Sequence, residues 1–237
     1  MKIIFIVIFV IFEEFGMHKK DLYETIATTI SYNNDKKIPN AASIGIRVIN
    51  DNLIQIKSYL HSKTHVNIKE NKVIAFNLIE DVYQFALASL KIANNVQFKG
   101  IPDNEFLYYN INDDNQILEI PYLKNAWGVI FCNLYNQREI NSKDTLGQIF
   151  ASEFQFKVIG TKKLKNSFKN FNRAENLVLE VIILATRFKV AKENKNEIIY
   201  SKISEKIQTY IELIENLSNN EQILKTIKRV KKFVDSI

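Results

Sequence analysis

One cysteine, three prolines and six glycines in 237 residues leave several protein classes without their hallmarks. The lone Cys132 cannot close an internal disulfide and suits a reducing, cytoplasmic setting. Neither G-x-G-x-x-G nor a Walker loop occurs, so dinucleotide and nucleoside-triphosphate folds lose their signature. Of the three histidines, His61 and His65 are four apart, but zinc needs further ligands and no cysteine or carboxylate stands beside them; no metal is assigned. No Ser-His-Asp or Cys-His arrangement can be drawn, and Cys132 reads as a packing residue in an apolar strand. No catalytic side chain is nominated.

Long hydrophobic runs are also scarce. Ile3–Phe12 is continuously apolar but far short of the roughly 20 residues that span a bilayer. The following Glu13-Glu14-Phe15-Gly16-Met17 offers no small-residue cleavage site. Residues 1–16 are therefore expected to be a dispensable upstream extension, with Met17 as the natural start. Neither sign of charge dominates: 32 basic and 26 acidic residues give a net +6, so a nucleic-acid role needs a local patch. Residues 157–173 supply one, with Lys157, Lys162, Lys163, Lys165, Lys169 and Arg173 around Phe168 and Phe171 and no acid among them. The plainer reading of that run is a solvated connection.

What is present is 46% hydrophobic and strongly patterned. Residues 22–32 are rich in Thr, Ile and Tyr and end in Asn33-Asn34-Asp35, a turn. Residues 40–50 alternate, with Ile44, Ile46 and Val48 on one face, and pair as a hairpin with 53–60 across Asn50-Asp51-Asn52. A short helix over 64–69, a strand over 72–79, and a helix capped by Asp81 follow. Residues 94–116 read as irregular, and 127–136 and 151–160 as later strands. Many short strands with few helices between them indicate a barrel or a sandwich. From Arg173 onward the apolar spacing turns helical, in three segments. The expected class is α+β, with a barrel domain over 17–164 and a helical domain over 165–237.

One stretch resists a purely structural reading. The strand at 53–60 ends in Ser62-Lys63-Thr64, two hydroxyls flanking an ammonium where a plain turn uses Gly, Asn, Asp or Pro. Donors and a cation just ahead of a helix start suit an anion.

The order of motifs resembles the flavin-binding split-barrel proteins of domain-of-unknown-function family 447. The resemblance rests on residues 21–29, IPNAASIGIRV (38–48), YLHSKTHVNI (59–68), 73–90, PYLKNAWGVIFCNL (121–134) and NRAENLVLEVIILATRF (172–188). It implies a homodimeric split β-barrel followed by a helical segment, holding flavin mononucleotide (FMN) at the subunit interface. Ser62, Lys63 and Thr64 would then grip the FMN phosphate, with Asn67 reinforcing that end. Ser43, Ile44 and Gly45 match the strand whose backbone faces the isoalloxazine ring. Arg47 would reach the phosphate or the pyrimidine edge, and Trp127 would stack on flavin across the dimer. Family members often carry an acid beside the tryptophan, and Asn125-Ala126-Trp127-Gly128 departs from that. The implied function is a flavin-dependent oxidoreductase or flavin reductase-like protein, with a nicotinamide cofactor as the electron donor to be tested. The rivals are a flavin carrier or sensor without turnover, and a nucleic-acid binder using 157–173. No other feature argues for nucleic acid or membrane partners.

Overall fold

A computed structural model describes residues 12–17, 19, 22–34, 36–92, 95–113, 116–144, 147–166 and 173–237. The chain divides into two compact units: residues 1–79, 102–142 and 149–167 form the first, and 80–101, 143–148 and 168–237 the second.

The first unit is a closed six-stranded barrel with strand order β1-β2-β3-β8-β7-β4, overlaid by a β5–β6 hairpin. Its strands are β1 (Leu22–Asn33), β2 (Lys36–Asn50), β3 (Leu53–Tyr59), β4 (Val73–Leu78), β5 (Phe106–Asp113), β6 (Gln116–Leu123), β7 (Gly128–Asp144) and β8 (Gly147–Lys163). The period of two decides which side chains fill the barrel. The register Ile46↔Ile56 and Ile56↔Phe154 turns the even-numbered residues of β2, β3 and β8 inward, and Ile74, Phe76, Ile130 and Cys132 complete that core. The sequence leaves sandwich and barrel equal; the antiparallel pairing of β1 with β4 closes the ring.

Each end of the barrel is stoppered. At one end sits helix α1 (Lys63–Asn71), whose Ile68 is fully buried in the barrel core. At the other, Phe12, Phe15 and Met17 pack into the same core, with the Phe15 ring centroid 5.6 Å from that of Trp127. A division between residues 16 and 17 therefore passes through one packed cluster. Gly128 is what admits Phe15: a Cβ there would stand 2.6 Å from the Phe15 ring.

The stretch read as irregular, 94–116, contains β5. Its strand character comes from tertiary cover: Ile120 and Tyr122 of β6, with Tyr109 of β5, pack on the outward faces of Val73, Ala75, Val129 and Phe131. Buried Asn77 fastens this layer, donating to the Ile26 carbonyl (2.8 Å) and accepting from the Leu123 amide (2.7 Å).

The second unit is helical: α2 (Val82–Ser89), α3 (Arg173–Glu193), α4 (Glu197–Leu217) and α5 (Glu221–Asp235). Asp81 caps α2 as its sequence predicts, accepting from the Tyr83 amide at 2.8 Å. Helix α3 packs on α4 and α5, and α2 joins them rather than the barrel strands that flank it in sequence. No helix among the described residues is long and apolar enough to cross a membrane.

Candidate functional site

The turn between β3 and α1 is built as an N-cap. Ser62, extended at φ −64° and ψ 149°, accepts from the His65 amide at 3.2 Å. His61 precedes it at φ 64°, which turns the chain sharply from strand to helix. The cap satisfies one first-turn donor, and the amides of Lys63 and Thr64 have no partner within the helix. No acidic residue lies in that first turn, and the Lys63 side chain is exposed. The helix start thus combines a dipole end, two outward amides and an ammonium, which is chemistry for an anion.

The remaining polar side chains of α1 turn toward the barrel. Buried Thr64 accepts from Asn40 Nδ2 at 3.1 Å. Asn67 is fully buried and donates to Thr29 Oγ1 at 3.0 Å, while its Oδ1 has no partner among the described residues. Ser62 Oγ shares a hydrogen bond with Ser58 Oγ (3.1 Å), and His65 Nε2 with Ser152 Oγ (3.1 Å). Burial is the largest cause holding the His65 imidazole below its usual pKa, and Lys69 and His61 add repulsion to its charged form. These four pairs hold α1 and its cap against β1, β2, β3 and β8.

The residues marked in the sequence therefore separate. Ser62 and Lys63 stand at the helix start, whereas Thr64 and Asn67 face the barrel wall. Ser43, Ile44 and Gly45 lie half-buried further along β2, with Ile44 against the barrel core and its carbonyl accepting from Thr25 Oγ1 at 3.0 Å. Gly45 stands beside Leu22 on β1, whose Cδ1 would be 3.1 Å from an added Cβ. Exposed Arg47 lies seven residues along β2 from Asn40, roughly 23 Å at a strand rise of about 3.3 Å, so it sits beyond reach of a phosphate on α1 of its own chain. Half-buried Trp127 is at the end opposite α1, its ring tilted 55° to that of Phe15, its carbonyl accepting from the Leu164 amide at 2.8 Å.

The basic run is similarly distributed. Lys157 lies 4.2 Å over the Tyr135 ring, Lys162 donates to the Tyr122 hydroxyl at 3.0 Å, and Lys163 pairs with Glu14 at 3.6 Å. Phe168, Lys169 and Phe171 lie outside the described residues, as does the Arg173 side chain. Three of its lysines thus have partners within the barrel unit. The sequence reading missed Thr29, Asn40, Ser58 and Ser152; their signal is a polar residue on the inward register of an otherwise apolar strand.

The family model for the N-terminal domain of DUF447, a protein of unknown function, matches residues 23–159. The uncharacterised protein MJ1453 of Methanocaldococcus jannaschii is 24% identical over 203 residues, which are 84% of this chain and 91% of that one. Among solved structures, the FMN-bound DUF447 protein MM1853 from Methanosarcina mazei shares this fold at a TM-score of 0.68 and 22% identity, over 93% of this chain and 98% of that chain. The flavin reductase of styrene monooxygenase from Pseudomonas putida S12 is a more distant likeness, with a TM-score of 0.41 and 12% identity over 62% of this chain and 84% of that chain.

Proposed function

The chain belongs to the DUF447 family, and from that premise we propose that its barrel binds FMN and works as a flavin reductase-like protein. The observation that carries this reading is the cationic start of α1 at the end of a barrel whose fold an FMN-bound relative shares. The donor types at the helix start suit a phosphate dianion: the Lys63 and Thr64 amides, the Lys63 ammonium and the Ser62 hydroxyl follow one another in the chain, with no carboxylate in the first turn to oppose them. Thr64 and Asn67 act one layer behind, fixing the helix to the wall so that its amides stay aimed. The half-buried backbone of Ser43, Ile44 and Gly45 forms the platform for the ring system. Bound FMN supplies the hydride and electron chemistry; the protein supplies position and shelter from water.

The assembly is a homodimer, with the flavin shared between copies and Trp127 contributed from the second. In support, Leu22, Tyr59 and Phe150 of the barrel unit remain 58%, 59% and 53% exposed, apolar surface that a second copy would cover.

The absorption spectrum of the purified protein tests the reading. A flavin band, released as FMN on denaturation, is expected. Bleaching of that band by NADH or NADPH distinguishes a reductase from a carrier. Protein that neither carries FMN nor takes it up on titration would overturn the proposal.

A further inference from the structure

The helical unit carries a basic cleft that the flavin reading leaves unused. On α5, Lys225, Lys228, Arg229 and Lys232 fall at spacings of three, one and three, which places them along one face. With Tyr83 and with Gln97 and Phe98 of the 3-10 turn Val96–Phe98 they line a cleft of ≈ 180 Å³, and none of its seven lining residues is acidic.

Arg229 is the fixed point of this cleft. Its guanidinium lies 5.0 Å from the centre of the Phe98 ring, Nη1 donates to the Gln97 carbonyl (3.1 Å) and Nη2 to the Leu90 carbonyl (3.2 Å). Its Nε is buried with no partner among the described residues. A buried, unanswered N–H on a permanent cation is costly. Lys225 is held in place as well, its ammonium 4.6 Å over the Tyr83 ring. Burial is the largest influence on the Arg229 guanidinium and pushes its pKa below the ordinary value, while the Tyr83 side chain beside it works in the opposite direction. An anion in the cleft would balance the four cations that line it, where no acidic residue is among the lining.

We propose that this cleft binds the phosphate group of a small phosphomonoester. A tetrahedral dianion presents oxygens in several directions, matching lysines that converge from successive turns around one guanidinium, whereas a carboxylate uses two coplanar oxygens. The volume is below the roughly 300 Å³ at which pockets begin to enclose a whole organic ligand. The cleft therefore holds the phosphate, and the rest of the molecule lies outward, beyond the half-buried Tyr83. The site is in the other unit from the proposed FMN turn and does not depend on that reading.

The test is titration of the full-length protein with inorganic phosphate, followed through backbone amide NMR shifts at ionic strength held constant with chloride. Saturable shifts are expected at Leu90, Gln97, Phe98 and along α5. The Lys228→Ala/Lys232→Ala double variant, which changes only exposed side chains, should raise the dissociation constant about tenfold or more. Lys63→Ala should leave it unchanged, which separates this site from a failed or successful flavin phosphate turn. The proposal is overturned if chloride gives the same shifts, if the double variant binds as wild type does, or if the shifts appear at α1 and vanish in Lys63→Ala. Binding of a short oligothymidylate at the same residues far more tightly than phosphate would also overturn it, in favour of a nucleic-acid contact.

Discussion

Asn40 on β2 donates its side-chain amide to the Thr64 hydroxyl on α1 at 3.1 Å, joining the barrel wall to the helix whose first turn offers donors to an anion. This bond separates two roles that adjacent residues share in sequence. Lys63 points to solvent and is available to a ligand, whereas Thr64 is part of the wall.

Lys63→Ala should weaken FMN binding by about 1.5–3 kcal/mol, roughly 10- to 150-fold, through loss of a charge-assisted contact. Riboflavin, which has no phosphate, should bind weakly and be indifferent to this change. Thr64→Val removes an internal acceptor instead, and should lower stability by about 1 kcal/mol while affecting both flavins alike. Fluorescence titration of the two flavins against the two variants measures this. Equal losses for both flavins in Lys63→Ala would withdraw the phosphate assignment.

Asn77→Ala should be among the most damaging single changes in the barrel. It strips the buried Leu123 amide of its acceptor and the Ile26 carbonyl of a donor. A loss of about 3 kcal/mol is expected, read as a fall in the urea midpoint. A midpoint within error of wild type would mean that the β5–β6 layer does not need this fastening.

His65 makes stability depend on mild acid. Its folded pKa lies below the ordinary 6.5, so the unfolded chain takes up a proton first. The contribution is fully present above 6.5 and is lost as the pH falls through the lower, folded value. Thermal midpoints measured downward from neutrality should therefore decline more steeply in the wild type than in His65→Gln. Parallel declines would place the acid sensitivity elsewhere.

Truncation to Met17 should leave a folded barrel of reduced stability, because it removes Phe12 and Phe15, which are only 5% and 7% exposed. Burying each such ring is worth about 1.5–3 kcal/mol. Phe15→Ala alone should reproduce much of the loss, and chemical denaturation compares the three proteins. A truncated chain as stable as the full one would show that the extension is dispensable, as its sequence suggests.

Local pattern was enough to place most elements. Alternation set β2, β-branched, aromatic or apolar runs bounded by turns set β1, β3, β4 and the body of β7 and of β8, and period 3.6 set the three C-terminal helices. Asp81 announced its helix because a cap is chemistry between residues only two or three apart, whereas the cap at Ser62 emerged with the structure. That a helix starts beside Ser62-Lys63-Thr64 with an exposed lysine was also legible, since charge and helix dipole are properties of the segment itself. Three things were decided only by the tertiary structure. Closure into a barrel depends on pairing β1 with β4, whose partners Ala27 and Phe76 are far apart in the chain, and no local period encodes that register. The strand at 106–113 exists as cover for the outer faces of β4 and β7, and its own sequence carries too many turn-forming residues to declare it. The aim of Thr64 and Asn67 was likewise invisible: a sequence lists a hydroxyl and an amide, but whether they meet solvent or Asn40 and Thr29 depends on how the helix is docked. Burial and long-range partners fix the direction of a polar side chain, and both come into being only when the barrel closes.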